Sequence, residues 1–249
     1  RLANSFPNEA HFWGHLARFC YEKASIPKHF DEAMSFVQKA FDARGEKDFN
    51  LQHIAGMCKR RLLEYYKREN VKLDFEEIKD LTEEARGYFK ESRRLNSKNI
   101  YAYISEIQLI VILIEYGKGL SPYDTYRKFL FSRDNEWYQE QYVSMLELID
   151  ETRILLSQMK TLGNTQKTHK SFDYLNKSES QSKNFIDDLP GMLNHLSAAI
   201  EKALYEERPR LRQLYVRYLL LSKVKGDTKR LGESWGLLTE SQIAKPAIE

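Results

Sequence analysis

Glycine and proline are scarce in this chain, 11 and 6 among 249 residues. Architectures that turn every few residues use many more of both, so barrels and sandwiches of short strands are disfavoured and long helices favoured. No stretch of useful length alternates apolar and polar residues, which removes the strand signature as well. Cysteine is nearly missing. Cys20 and Cys58 are the only two; both fall on apolar faces of helical patterns, where a thiol behaves as a small hydrophobe, and so low a count points to a reducing, cytoplasmic compartment. An excess of one charge is missing too, since 39 Lys and Arg meet 36 Asp and Glu for a net +3. That balance does not by itself imply nucleic acid. The most apolar run, Ile107 to Ile114, is broken by Gln108 and bounded by Glu106 and Glu115. It falls well short of the roughly 18 apolar residues of a membrane span, so no membrane partner is expected. No signal peptide is expected. The chain begins with Arg1 and enters a helical pattern almost at once, so a fragment of a longer protein is expected.

Sites with recognisable chemistry are also missing. Gly117-Lys118-Gly119 lacks the preceding strand and the Gly-Lys-Ser/Thr ending of a phosphate loop. No cysteines have zinc spacing. His11 and His15 share a helix face, but two ligands are too few for a structural zinc and no carboxylate stands at the needed distance along the chain. Glu76-Glu77 and Glu83-Glu84 read as solvated helix surface balanced by nearby Lys and Arg. No catalytic residue, cofactor or metal is therefore assigned to this segment.

What is present is helical periodicity. A first helix is expected from about Asn8 to Glu22, a second from Pro27 to Arg44 with Gly45 as its stop, and a third from Asp48 to Glu69. A fourth is capped by Asp74, and a strongly apolar fifth spans Asn99 to Tyr116, ended by Gly117 and Gly119. Ser121-Pro122 opens a short sixth helix through Phe131, and Asp134 or Asn135 caps a seventh reaching Lys160. Thr161 to Lys183 is rich in Ser, Thr, Asn and Lys and poor in large apolar residues, so it reads as a mobile polar loop. Helical spacing resumes with Phe185, Leu189, Met192 and Leu196. The expected organisation is 1–160 as a helical repeat region, 161–183 as the loop and 184–249 as a C-terminal helical subregion.

Within the first 61 residues, Trp13, Leu16 and Ala17 stand at 0, +3 and +4; Leu51, Ile54 and Ala55 repeat that spacing; and Phe30, Ala33, Val37 and Ala40 follow one another at three or four residues. Large and tiny residues facing small ones let antiparallel helices approach closely. The pattern resembles the tetratricopeptide (TPR) signature in degenerate form. The fold class expected is all-α, with TPR-like antiparallel hairpins stacked into an irregular superhelix. All of Trp13, Leu16, Phe19, Phe30, Ala33, Val37, Ala40, Ile54 and Ala55 are expected to be buried.

His15-Leu16-Ala17-Arg18-Phe19, Phe30-Asp31-Glu32-Ala33 and His53-Ile54-Ala55-Gly56-Met57-Cys58-Lys59-Arg60 are also similar to the C-terminal sensor regions of bacterial antiviral STAND P-loop ATPases, the Avs defence proteins, over roughly Pro7 to Tyr116. More distantly, they resemble vertebrate antiviral STAND ATPases with a sterile-alpha-motif domain. The resemblance implies a module that grips a phage protein, such as the large terminase subunit or the portal. It also implies a parent protein that uses ATP and magnesium, assembles as a homo-tetramer and carries an effector, often a nuclease. A generic TPR-like scaffold and a helical regulatory region of an enzyme are the alternatives. In stacked TPR hairpins the first helix of each pair lines the groove, which by aligning Trp13 with Leu51 nominates His11, Arg18 and Tyr21, then Gln52, Lys59 and Arg60, as partner-binding residues. Basic clusters add Arg210 and Arg217 on the C-terminal helices. Solvated helix faces, an acidic protein partner and, least favoured, nucleic acid are the readings of those clusters. Because a phosphate loop is missing, the purified chain is expected not to bind ATP; isothermal titration showing a saturable isotherm would contradict that.

Overall fold

In a computed structural model of the chain, residues 5–161, 165–183 and 185 are described. They belong, apart from the last few, to a compact unit spanning 1–182; a second unit, 183–249, lies almost wholly outside the described residues. Arg210 and Arg217 fall there. Among the described residues every element is helical and there is no strand, so the all-α class holds. The helices are α1 (Ala10–Glu22), α2 (Pro27–Ala40), α3 (Phe49–Arg68), α4 (Phe75–Leu95), α5 (Ile100–Leu120), α6 (Tyr126–Phe131), α7 (Glu136–Thr161) and α8 (Thr165–Lys183).

Local chemistry accounts for the boundaries. Pro27 occupies the first turn of α2, where its missing N–H has no partner to lose. The α2 coil continues past Ala40 as a π-turn over Phe41–Gly45, so its α-geometry stops earlier than the sequence pattern implied. Asp48 accepts from the backbone N–H of Asn50 at 2.7 Å and caps α3. Asn70 closes that helix in the left-handed region, φ 51°. The Val71 N–H reaches Tyr66 O at 3.0 Å and the Asn70 N–H reaches Lys67 O at 3.3 Å, the Schellman pattern with asparagine in glycine's place. Asp74 and Glu77 then form a reciprocal capping box at 2.8 and 2.9 Å to start α4.

Two layers follow from which residues touch. Trp13 packs with Ala40, while Ala17 and Tyr21 pack with Phe30, Ala33 and Val37, so α1 and α2 run antiparallel. Ser92 Oγ donates to Phe49 O at 2.7 Å and Lys59 pairs with Glu84 at 2.8 Å, which makes α3 and α4 antiparallel as well. Tyr103 on α5 donates to Glu151 on α7, and Gly117 faces Tyr138, giving a third antiparallel pair. Between pairs the direction is parallel. Arg60 bonds Gln108 and Lys67 bonds Glu115, both 48 residues apart, so α3 and α5 lie side by side in one sense. Leu51 against Trp13 and Ala55 with Ala17 do the same for α1 and α3.

Helix α5 sits at the centre, buried on nearly every side. By length and composition it could cross a membrane, yet 78% of that apolar window is covered by its neighbours. It runs past Gly117 to Leu120, beyond the end the sequence suggested, and a Cβ at Gly117 would lie 2.5 Å from the Tyr138 ring. That glycine serves close packing rather than termination. Likewise, α6 starts not at Ser121-Pro122 but after Thr125, whose side chain accepts from the Lys128 N–H.

Phe19 is 61% exposed, against the expectation that it is core, and Leu16 and Ile54 are half-buried. The narrow contact between α1 and α2 is made by Trp13, Ala17 and Tyr21 at four-residue steps, which leaves position 19 on the opposite face. Thr161 to Lys183 is not a loop. Most of it is α8, whose buried positions Ser171, Leu175, Ser178 and Ser182 recur every three or four residues. A face of serines carries a helical period that a search for large apolar residues does not register. Ser178 and Ser182 return their hydroxyl protons to carbonyls of the preceding turn, so the buried polar atoms are satisfied.

One buried charge joins the third pair to the second. Glu106 on α5 is 1% exposed and accepts from Arg86 at 2.7 Å and from Arg93, both on α4. Arg86 continues to Gln141 and to Ser144 at 2.6 Å, both on α7. Truncating the shared acceptor leaves two arginines facing each other without a counter-charge, and Glu106→Ala is expected to lower stability by about 3–5 kcal/mol. Urea unfolding followed by circular dichroism checks this, and an unchanged midpoint would contradict it.

Candidate functional site

The parallel helices α1, α3 and α5 leave one face uncovered, and that face forms a groove of about 1080 Å³ closed on one side by α8. Its lining follows helical stripes. His11, His15, Arg18 and Glu22 come from α1; Asn50, His53, Met57, Arg60, Glu64 and Lys67 from α3; Tyr101, Ser105, Gln108, Ile112 and Glu115 from α5; and Tyr174, Lys177 and Gln181 from α8. Each stripe advances by three or four residues, the period that keeps side chains on one helix face.

Most of the groove's charges are neutralised in place. Arg18 pairs with Glu22 at 2.7 Å, Arg61 with Glu64 at 2.7 Å, and Lys67 with Glu115. The partnership with Glu22 holds the Arg18 guanidinium above its ordinary pKa. At the rim, His11 Nε2 lies 3.7 Å from Asp48.

Arg60 is different. It is 6% exposed, and among the described residues no carboxylate pairs with it. Its Nη1 donates to Gln108, while its Nε is buried with no acceptor. Burial, reinforced by neighbouring Arg61, pulls its pKa down to about 10, still far above neutrality, so the charge persists. Around it stand Tyr21 and His53. Burial raises the Tyr21 phenol to about 12. His53 contacts Ser105 Oγ through Nε2 at 2.9 Å and lies 5.8 Å from the Phe89 ring. Burial first, then the charges of Arg60 and Arg18, push its pKa down to about 4. The groove floor thus holds a buried cation beside a neutral imidazole.

Of the residues nominated from sequence, His11, Arg18, Tyr21 and Arg60 line this groove together. Gln52 and Lys59 do not. Gln52 is buried and its Nε2 donates to Glu46 O at 2.8 Å, tying the start of α3 to the preceding turn. Lys59 turns toward α4, where it pairs with Glu84 at 2.8 Å. The reason is the helix period: a step of one residue rotates a side chain by about 100°, and 53 and 60 face the groove where 52 and 59 face inward. Arg210 and Arg217 lie outside the described residues. The α5 and α8 contributions were not anticipated. In α5 the signal was available, since Tyr101, Ser105, Gln108 and Glu115 interrupt an otherwise apolar helix at helical spacing.

Cys58 is buried, and its burial raises the thiol pKa strongly; Cys20 is half-buried and shifted the same way for the same reason. Neither is poised as a nucleophile. Among the described residues, no three His, Cys, Asp or Glu side chains gather to hold a metal. Searches against protein-family models and curated proteins find no match for this chain.

The depressed His53 pKa has a thermodynamic consequence. The unfolded chain takes up a proton near the ordinary value of 6.5, and the folded one only near 4. Stability from this group is therefore complete above about pH 6.5 and declines as pH falls toward 4, with a slope of at most about 1.4 kcal/mol per pH unit. Urea midpoints measured at pH 7, 5.5 and 4 should fall in the wild type and fall less in His53→Gln. Parallel curves for the two proteins would contradict the assignment.

Proposed function

We propose that this chain is a protein-recognition module whose partner sits in the groove between α1, α3, α5 and α8. The observation that carries the reading is the convergence of four helix stripes on one open groove, with Tyr101 and Tyr174 about half exposed within it. Exposed tyrosines beside arginines are the side chains that dominate interface energetics, because they desolvate large areas at modest entropy cost. The parallel first helices with antiparallel second helices support assigning the stack to the TPR-like superhelices. The π-turn after α2 and the six-residue connection between α3 and α4 make it an irregular one. Such irregularity favours a folded partner surface over an extended peptide. No catalytic step is assigned to the chain.

The more specific reading is that the chain is the sensor region of an antiviral STAND ATPase and that its partner is a phage large terminase subunit or portal. It rests on the resemblance of residues 7–116. In that reading, partner binding releases assembly of the parent protein. The test is a quantitative pull-down with purified terminase and portal proteins. Wild type should retain one of them. Tyr101→Ser combined with Lys177→Glu should weaken retention at least about tenfold, a change of about 1.4 kcal/mol. Lys128→Glu, on α6 and away from the groove lining, should leave it unchanged. Equal retention by the groove variant and wild type would remove the groove as the recognition surface. Retention of a host protein in place of either phage protein would instead make the chain a scaffold.

A further inference from the structure

The groove contains one feature that folding alone does not explain. Arg60 is the only buried Lys or Arg among the described residues, its Nε, like that of Arg61, is left without an acceptor, and its neighbours include a glutamine, a neutral histidine and a phenol. Leaving a buried donor unmade is unfavourable, and leaving a buried charge uncompensated is more so. Glu64 favours the Arg60 cation from a distance, but its carboxylate is bonded to Arg61, as Glu115 is to Lys67 and Glu22 to Arg18. Among the described residues, no carboxylate bonds directly to the Arg60 guanidinium.

We propose that Arg60 is an anchor for an acidic residue of the protein partner, an Asp or Glu whose carboxylate enters the groove floor and accepts from the guanidinium. This deepens the recognition reading above and rests on it. The chemistry favours a single carboxylate. An arginine presents parallel N–H donors matched to a planar carboxylate. Nucleic acid is disfavoured, since its backbone requires several unpaired cations facing one way, and here Arg18, Arg61 and Lys67 are already paired. His53 fits the role by staying neutral, so it neither competes for the carboxylate nor adds to the local positive charge. Tyr21 and Ser105 supply hydroxyls beside the same pocket.

An anchor kept ready in this way weakens the unliganded fold, which separates it from a structural arginine. The first measurement is thermal unfolding of Arg60→Met, a nearly apolar replacement of similar length. The melting temperature should hold or rise, whereas a drop of more than about 5 °C would mean that Arg60 serves the fold and would overturn the proposal. The second is fluorescence anisotropy with a labelled fifteen-residue polyglutamate peptide, alongside polyglutamine, a phosphoserine peptide and single-stranded DNA of equal length. Wild type should bind polyglutamate at least about tenfold tighter than polyglutamine, and Arg60→Met should lose that preference while Lys128→Glu keeps it. Tighter binding of the phosphopeptide or DNA through Arg60, or no preference for polyglutamate, would overturn the carboxylate assignment. A concentration-dependent dimer abolished by Arg60→Met would place a second copy's carboxylate there and overturn the foreign partner. If Arg60→Met retains the target fully while Tyr101→Ser with Lys177→Glu loses it, the groove stands and the anchor falls; if both variants retain it, the groove reading falls as well.

Discussion

The architecture depends on how closely its helices can approach. Ala17, Ala33, Ala40, Ala55, Ala85 and Ala102 are all fully inaccessible, and Gly56 leaves room for the Phe89 ring, which would otherwise meet a Cβ at 2.6 Å. Small residues at these points bring backbones together, so that Phe89, Leu63 and Ile107 fill the space to either side. Because α1, α3 and α5 meet along such residues, they form one continuous layer. The residues that face neither the layer's neighbours nor its partner helices then share a single open surface. The groove is a by-product of that packing rule.

This rule is also what made the fold legible. Spacing of tiny and large residues between Trp13 and Ala55 identifies hairpins because size, not merely hydrophobicity, carries the information. The same logic failed where size and polarity diverge. Ser171, Ser178 and Ser182 are small enough to lie against another surface, yet they read as loop residues by polarity. Phe19 is apolar enough to read as core but stands on the outer face of α1. Four residues of the groove lining, His11, Arg18, Tyr21 and Arg60, follow from aligning two similar helices. Gln52 and Lys59 were misplaced by a single residue step. The α5 stripe was overlooked although Tyr101, Ser105, Gln108 and Glu115 mark it, because the apolar residues around them drew the reading to the core.

Charge is handled in two opposite ways within one unit. On the α4–α5 side, Glu106 is buried but receives two guanidinium groups, one of which also reaches α7. Its desolvation is offset by contacts that pin three helices in register. On the groove side, Arg60 is buried to a similar degree and receives one neutral acceptor. A fold under selection for stability alone has little reason to retain the second arrangement. The two sites, some tens of residues apart on adjacent helices, thus differ in how a buried charge is met.

Helix α3 touches α1, α2, α4 and α5, whereas the outer pairs touch mainly their immediate neighbours. Stacks of this kind behave nearly one-dimensionally, with stability shared between adjacent units. Opening from either end removes one pair and leaves the remainder matched; opening at α3 separates everything. Fraying should therefore begin at the outer pairs and spread inward, as a zipper parts from its ends. Any molecule lying across α1, α3 and α5 bridges successive links of that zipper, so its residence couples the opening of the first pair to the opening of the third.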